Sequence, residues 1–507
     1  MPLIAKITHS VQKRMRRVLQ VSPRRSDDQA PQAQIPAASP PSPTPEREAE
    51  VLPTSISSIN SITVDVREVE AVSQYATTGP APPNIPRLPV EVYERIIDFC
   101  AFACFMLADQ RMLHACALTS RDWLPRSRLH LYDYIDLRTQ EQFARFLETV
   151  QGTPVLGTFV YRMDLGPKQQ ELHNNEVVDS IKFGSQYKAK PRPSTSWILQ
   201  VPIRLLPLLP VVRWIQFRWV PTLPPNAAML LSRFKSSRSV TSLSLLDCEF
   251  ATCQDFARFL SSFPFATDLI LHGIKIANDK HLAVHQQYLR SLPTLKILNI
   301  RGISDPVAME SLTSWPAHRS LTRLVYTGTH VAMLSSLDKI LDGSARSLRT
   351  CTIVADLVAG RTFNSVHATK FGTFDRLDLS QASCLTHLML GITLTEDMNH
   401  CLDDIRLPSS IQCVWLAFTF PYRSRAIGSL DLALSLPWDK VDTDWSDAKY
   451  SSFKKMWILM HVYELDGEER ERLRKGMETK LTKLKSRVTV MVNYRTRQNS
   501  TTPMLWI

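Results

Sequence analysis

LKILNI, residues 295–300, decides how this chain folds. Its apolar side chains Leu295, Leu298 and Ile300 stand at positions 0, +3 and +5. Leu298 and Ile300 share one face of an extended strand, while Asn299 and Arg301 share the other. The interval recurs at Tyr132-Ile135-Leu137, Leu156-Phe159-Tyr161, Val212-Ile215-Phe217, Val240-Leu243-Leu245 and Ala266-Leu269-Leu271. After LKILNI it returns at Leu321-Leu324-Tyr326, Leu348-Cys351-Ile353, Leu385-Leu388-Leu390 and Ile411-Val414-Leu416. First positions are separated by 24, 56, 28, 26, 29, 26, 27, 37 and 26 residues. The 56 is twice 28 and predicts an irregular or missing unit between 162 and 211. The 37 leaves room for an insertion, where Phe374-Leu377-Leu379 offers an extra strand.

Helix-like runs such as CQDFARFLSSFP (253–264) and VAMLSSLDKILDGS (331–344) lie between these strands. Strand, turn, helix and return at 26–29 residues make a unit too small to cover its own apolar face, so neighbours must stack. The pattern resembles the leucine-rich repeat, and the resemblance implies an α/β solenoid whose strands present one shared concave face. Applied here, the register places Trp214, Gln216, Arg218, Asp268, His272, Asn299, Arg301, Arg323, Thr327, His387 and Trp415 on that face as candidate target-binding residues. Arginine and tryptophan are the types that most often dominate interface energetics. The repeats are degenerate. The family's Asn or Cys ladder position is Cys248 once, and elsewhere Ile274, Ile303, Thr329, Asp356, Thr393 and Thr419. An ordinary α/β sheet with strands near every 30 residues stays open as the alternative, although its strands should be longer apolar runs.

The array is expected over 131–440 and a terminal cap over 441–507. The cap would consist of the charge-dense helix 466–487, buried along Leu473, Met477, Leu481 and Leu484, and a last strand VTVMVNY (488–494). Ahead of the array, residues 87–130 read as a small helical module. RLPVEVYERIIDF (87–99) follows a proline-rich stretch and sets Val92, Ile96, Ile97 and Cys100 at helical spacing. A second apolar stripe runs through Leu113, Cys116, Ala117 and Leu118, and the segment closes at Thr119-Ser120-Arg121-Asp122-Trp123.

Leu88-Pro89, the Ile96-Ile97 pair and the late Arg121-x-Trp123 together resemble an F-box, over about 40 residues. The resemblance implies a substrate-recognition subunit of a cullin-RING (SCF-type) ubiquitin ligase. Its F-box would bind the adaptor that joins it to the cullin scaffold, and its repeats would bind a target protein. Leu88, Pro89, Val92, Ile96 and Ile97 would face the adaptor, with Leu118 and Trp123 closing that surface. The same apolar side chains packing on the first repeat is the alternative at this level. A leucine-rich scaffold or adaptor acting outside ubiquitination is the alternative function.

The 507 residues carry a formal charge of +12. Part of it lies in residues 1–25, where seven Lys and Arg residues stand with no acid. A basic tail, a targeting segment or a membrane-surface helix over 1–21 would each fit. The tail to residue 86, with PAASPPSPTP (36–45) and GPAPPNIP (79–86), is expected to be disordered. Nucleic acid is not an expected partner, because acids interleave the basic residues elsewhere. Nine scattered cysteines without a Cys-x-x-Cys pair read as reduced, buried thiols, which suits the cytoplasm or nucleus. Glycine is scarce at 15 residues, and no phosphate-binding glycine loop or Gly-x-Ser-x-Gly elbow occurs. His281 and His285 stand four apart but lack a third ligand. No cofactor, metal or catalytic activity is expected.

Overall fold

The computed structural model describes residues 89–107, 110–167, 196–219, 232–277, 294–303, 305–328, 333–355, 377–393, 402, 405–419, 431, 433–462 and 467–496. The chain divides between Ile85 and Pro86, and every described residue belongs to the second unit. The tail, Leu88 and the His281–His285 pair lie outside the described residues.

The first helix, α1 (Val90–Leu107), begins directly after Pro89. The Pro89 carbonyl accepts from the N–H groups of Val92 (3.0 Å) and Tyr93 (3.4 Å), which closes the first turn. Ile97 and Cys100 turn inward against Leu113 and Cys116 of α2 (Arg111–Thr119), with Tyr93, Ile96, Trp123 and Leu131 packed half-buried around them. Ser120 accepts from the Asp122 N–H (3.2 Å) and reverses the chain into α3 (Leu124–Asp133). Asp98 then brackets α1 to α3. It receives both Nε (2.8 Å) and Nη2 (2.9 Å) of Arg126, and His130 Nε2 stands 2.7 Å from it. The Arg126 hydrogen bond holds the Asp98 carboxyl below the usual carboxylate range.

Helix α3 runs directly into the first strand, with no linker. The strands are β1 (Tyr134–Leu137), β2 (Arg162–Leu165), β3 (Trp214–Arg218), β4 (Ser242–Leu246), β5 (Glu249–Phe250), β6 (Asp268–His272) and β7 (Lys275–Ile276). They continue as β8 (Ile297–Arg301), β9 (Arg323–Gly328), β10 (Thr350–Ala355), β11 (His387–Thr393), β12 (Cys413–Thr419), β13 (Lys455–Val462) and β14 (Thr489–Thr496). All but β5 and β7, which pair with each other, form one parallel sheet of twelve strands whose spatial order is the chain order. This is an α/β fold with a large parallel sheet.

Register explains the apolar triplets. One inward row runs Met163, Ile215, Leu243, Leu269, Leu298, Leu324, Cys351, Leu388, Val414 and Met456, and every member is buried. A second runs Leu165, Phe217, Leu245, Leu271, Ile300, Tyr326, Ile353, Leu390, Leu416 and Ile458, equally buried. Against these rows lie helices α4 (Gln140–Gly152), α5 (Cys253–Leu260), α6 (Pro306–Thr313), α7 (Leu334–Ser344), α8 (Trp438–Trp445) and α9 (Gly467–Lys480). Each contributes apolar residues at helical spacing, as with Cys253, Phe256, Ala257 and Leu260 of α5. After β1, the first residue of the triplet, for example Val212, Ala266 or Leu295, is buried before its strand begins and anchors the returning chain. Cys248 is buried just after β4. Its thiol donates to the carbonyls of Phe217 (3.6 Å) and Leu246 (3.5 Å).

Several sequence expectations change. The second strand is not built on Leu156-Phe159-Tyr161, because residues Pro154–Phe159 form a 3₁₀ turn and β2 pairs Met163 with Ile135 and Leu165 with Leu137. The working triplet is Val160-Met163-Leu165, 28 positions after Tyr132 and 52 before Val212. Of the irregular or missing unit expected in the long interval, no strand stands between β2 and β3 in the sheet, since the two pair directly. The interval instead returns through short 3₁₀ and π turns over Ser196–Leu208, which bury Trp197, Val201 and Leu205. Leu377 and Leu379 are buried, but Asp378 makes only an isolated bridge with Arg406 and adds no strand to the sheet. Strand β13 carries the same triplet spacing, as Phe453-Met456-Ile458, which the sequence reading passed over.

Candidate functional site

The second face of the sheet consists of three parallel rows. The first runs Tyr134, Arg162, Trp214, Ser242, Asp268, Ile297, Arg323, Thr350, His387, Cys413 and Lys455. The middle row runs Asp136, Asp164, Gln216, Ser244, Ile270, Asn299, Val325, Thr352, Met389, Trp415 and Trp457. The third carries Arg218, Leu246, His272, Arg301 and Thr327. All eleven expected target-face residues fall on these rows. Most are half-exposed or exposed, against near-zero exposure on the inward rows.

The rows differ in chemistry along the sheet. Near β12 and β13, Trp415 is 42% exposed and stands 4.7 Å from Trp457, centroid to centroid. Lys455 covers the Trp457 ring at 5.7 Å. In the middle, Arg301 donates to Asn299 Oδ1 (3.0 Å) beside Arg323. At the β1–β3 end the face folds under the helical module around a cavity of about 730 Å³, lined by Asp133, Tyr134, Arg138, Arg162, Asp164 and Trp214 among others. Arg162 stacks over Trp214 at 5.1 Å.

Gln216 is buried, not open to a partner, because it donates to Asp164. Tyr134 Oη (2.8 Å) and Arg218 Nη2 converge on the same carboxylate oxygen. Burial pushes the Asp164 carboxyl up, and the Arg218 charge opposes it. Burial, then the Asp164 charge, raises the Tyr134 phenol. With three donors on one oxygen, Asp164 is a brace that locks the ends of β1, β2 and β3 together. The sequence reading missed it because β2 was placed four residues early; alternation in the corrected register would have found it.

The helical module presents a different surface. Val90, Val92, Phe99 and Leu118 are exposed, Phe99 at 60% and Leu118 at 88%. Pro89 and Val92 lie on the outside as expected of an adaptor-facing set, and Ile96 is half-buried. Ile97 departs from that set: at 0% exposure it belongs to the module's own core. Trp123 stacks on Tyr93 at 5.9 Å and so props α1 from behind. The module's buried cluster is separate from the core under the sheet.

No protein-family model matches the chain, and no characterised protein matches it in sequence. Among the described residues, no three His, Cys, Asp or Glu side chains gather as metal ligands. None of the helices described there is long and apolar enough to cross a membrane.

Proposed function

We propose that this chain is a non-catalytic substrate receptor of a cullin-RING ubiquitin ligase. Helices α1–α3 act as an F-box that binds the adaptor, and the second face of a leucine-rich-type solenoid binds the target. One observation carries the reading. Among the described residues, the module buries a core of Ile97, Cys100, Leu113 and Cys116 and leaves Val90, Val92, Phe99 and Leu118 open to solvent. Apolar surface of that kind on so small a module is what a protein interface uses. Support for the repeats comes from twelve parallel strands that follow chain order without a switch point, as stacked units require. Function then follows from proximity. A target held beside the transferring machinery reacts at a raised effective concentration, with no nucleophile supplied by the receptor.

The test is a pull-down of purified adaptor by the full chain. Val92→Asp with Leu118→Asp changes only exposed positions, so the fold should persist while adaptor binding falls by about a hundredfold or more, as expected when charge enters an apolar interface. Unchanged capture, or none by the unaltered chain, rejects the ligase reading and leaves a scaffold acting outside ubiquitination.

A further inference from the structure

Among the described residues, two arginines in the middle of the second face have no counter-charge. Arg323 opens β9 in the first row, and Arg301 ends β8 in the third, so they flank Asn299 and Val325 of the middle row from opposite sides. Arg301 leans back toward that row, as its bond to Asn299 Oδ1 requires. Arg323 Nε is sealed from solvent and has no acceptor among the described residues. Val325 between them is only 6% exposed although its row faces outward.

The nearby acids are engaged elsewhere. Asp268 shares the Arg323 row two strands away and accepts from Thr267 Oγ1 at 3.2 Å. Asp247 lies 3.5 Å from His272. Neither arginine forms an ion pair with a described carboxylate. Burial, and then the Arg323 charge, push the Arg301 guanidinium below its usual value. Two desolvated like charges weaken the free fold, and each guanidinium keeps a planar fork of donors suited to a carboxylate.

We infer that Arg301 and Arg323 form an anion site that receives the side-chain carboxylates of an acidic segment on the docked protein. The inference rests on the reading that this face holds a protein target, and it names the chemistry of that target's contact. Asn299, with its side-chain oxygen taken by Arg301, keeps its amide N–H groups as additional donors at the centre. Two cations set across one strand pair, unpaired among the described residues, match two carboxylates of an extended peptide.

The probe is a fluorescent hexaglutamate peptide titrated into the full chain, with hexaglutamine and inorganic phosphate as comparisons. Hexaglutamate should bind and hexaglutamine should not. Arg301→Gln with Arg323→Gln should weaken binding about tenfold or more, because it removes the cations and leaves the peptide carboxylates unpaired. Arg233→Gln with Arg238→Gln, exposed cations outside the three rows, should leave it within about twofold, since exposed charges contribute little. Equal losses in the two variants, no binding by the unaltered chain, or phosphate binding as tightly as the peptide would overturn the site. The Arg301/Arg323 variant should also melt at or above the unaltered chain; a lower melting temperature would show that the pair is not uncompensated. The peptide assay contains no adaptor, so it can fail while the pull-down succeeds, and the reverse.

Discussion

His318 shows how one side chain ties stability to pH. Its ring lies nearly parallel to Trp315, with 6.3 Å between centroids, and Nε2 donates to the Leu312 carbonyl. Nδ1 is buried with no partner among the described residues, so a second proton would arrive where nothing can accept its hydrogen bond. Burial accordingly lowers the His318 pKa from its usual value. The sign follows from the ordering of the two states. The unfolded chain takes up its proton near pH 6.5, before the folded chain does, so stability declines as pH falls below about 6.5. The decline stops once pH passes the lower folded value, and its steepest slope for one group is about 1.4 kcal/mol per pH unit. Urea unfolding at pH 7.5 and 5.5 should therefore show a larger loss for the unaltered chain than for His318→Gln, which keeps a donor for Leu312 but does not titrate.

At the scale of elements, most of the strands were legible because they repeat the same apolar interval, which the inward rows need. The failure at β2 is equally physical. Leu156, Phe159 and Tyr161 satisfy the spacing, but Pro154 favours a turn and Tyr161 is 37% exposed where a core position would be buried. Spacing alone cannot choose between two overlapping triplets; only pairing with β1 and β3 does. Met163→Ala should consequently cost about 2–5 kcal/mol by urea unfolding, as loss of a fully buried methionine does. Tyr161→Ala should cost clearly less. The opposite order would restore the earlier register. The target-face residues were legible for the same reason as the core, since alternation within a short strand assigns both faces at once. Asp164 was not, because β2 was placed four residues early, and the sequence carries no sign that Gln216 turns from the open face to bond it. The inward turn of Ile97 was also hidden: adjacent Ile96 and Ile97 lie about 100° apart on the helix, and the sequence does not say which points to the centre of the core and which to its edge.

For the whole molecule, the decisive feature is that α3 passes into β1 without a linker, while Asp98, Arg126 and His130 fasten α1 to α3. A sheet of twelve strands extends about 50 Å along its length at ~4.8 Å per strand. It therefore behaves as a lever rooted in three short helices. A tilt of about 10° at Asp133 would carry the β14 end through up to about 9 Å, given that same spacing. On the proposed function, Asp98→Asn should leave adaptor and target affinities within about twofold, because surface ion pairs contribute little to either. Ubiquitin transfer to a bound target should nevertheless slow, measured as single-turnover rate on a preassembled complex; an unchanged rate would mean that the angle is set elsewhere. Aim, and not grip, is the quantity this bracket controls.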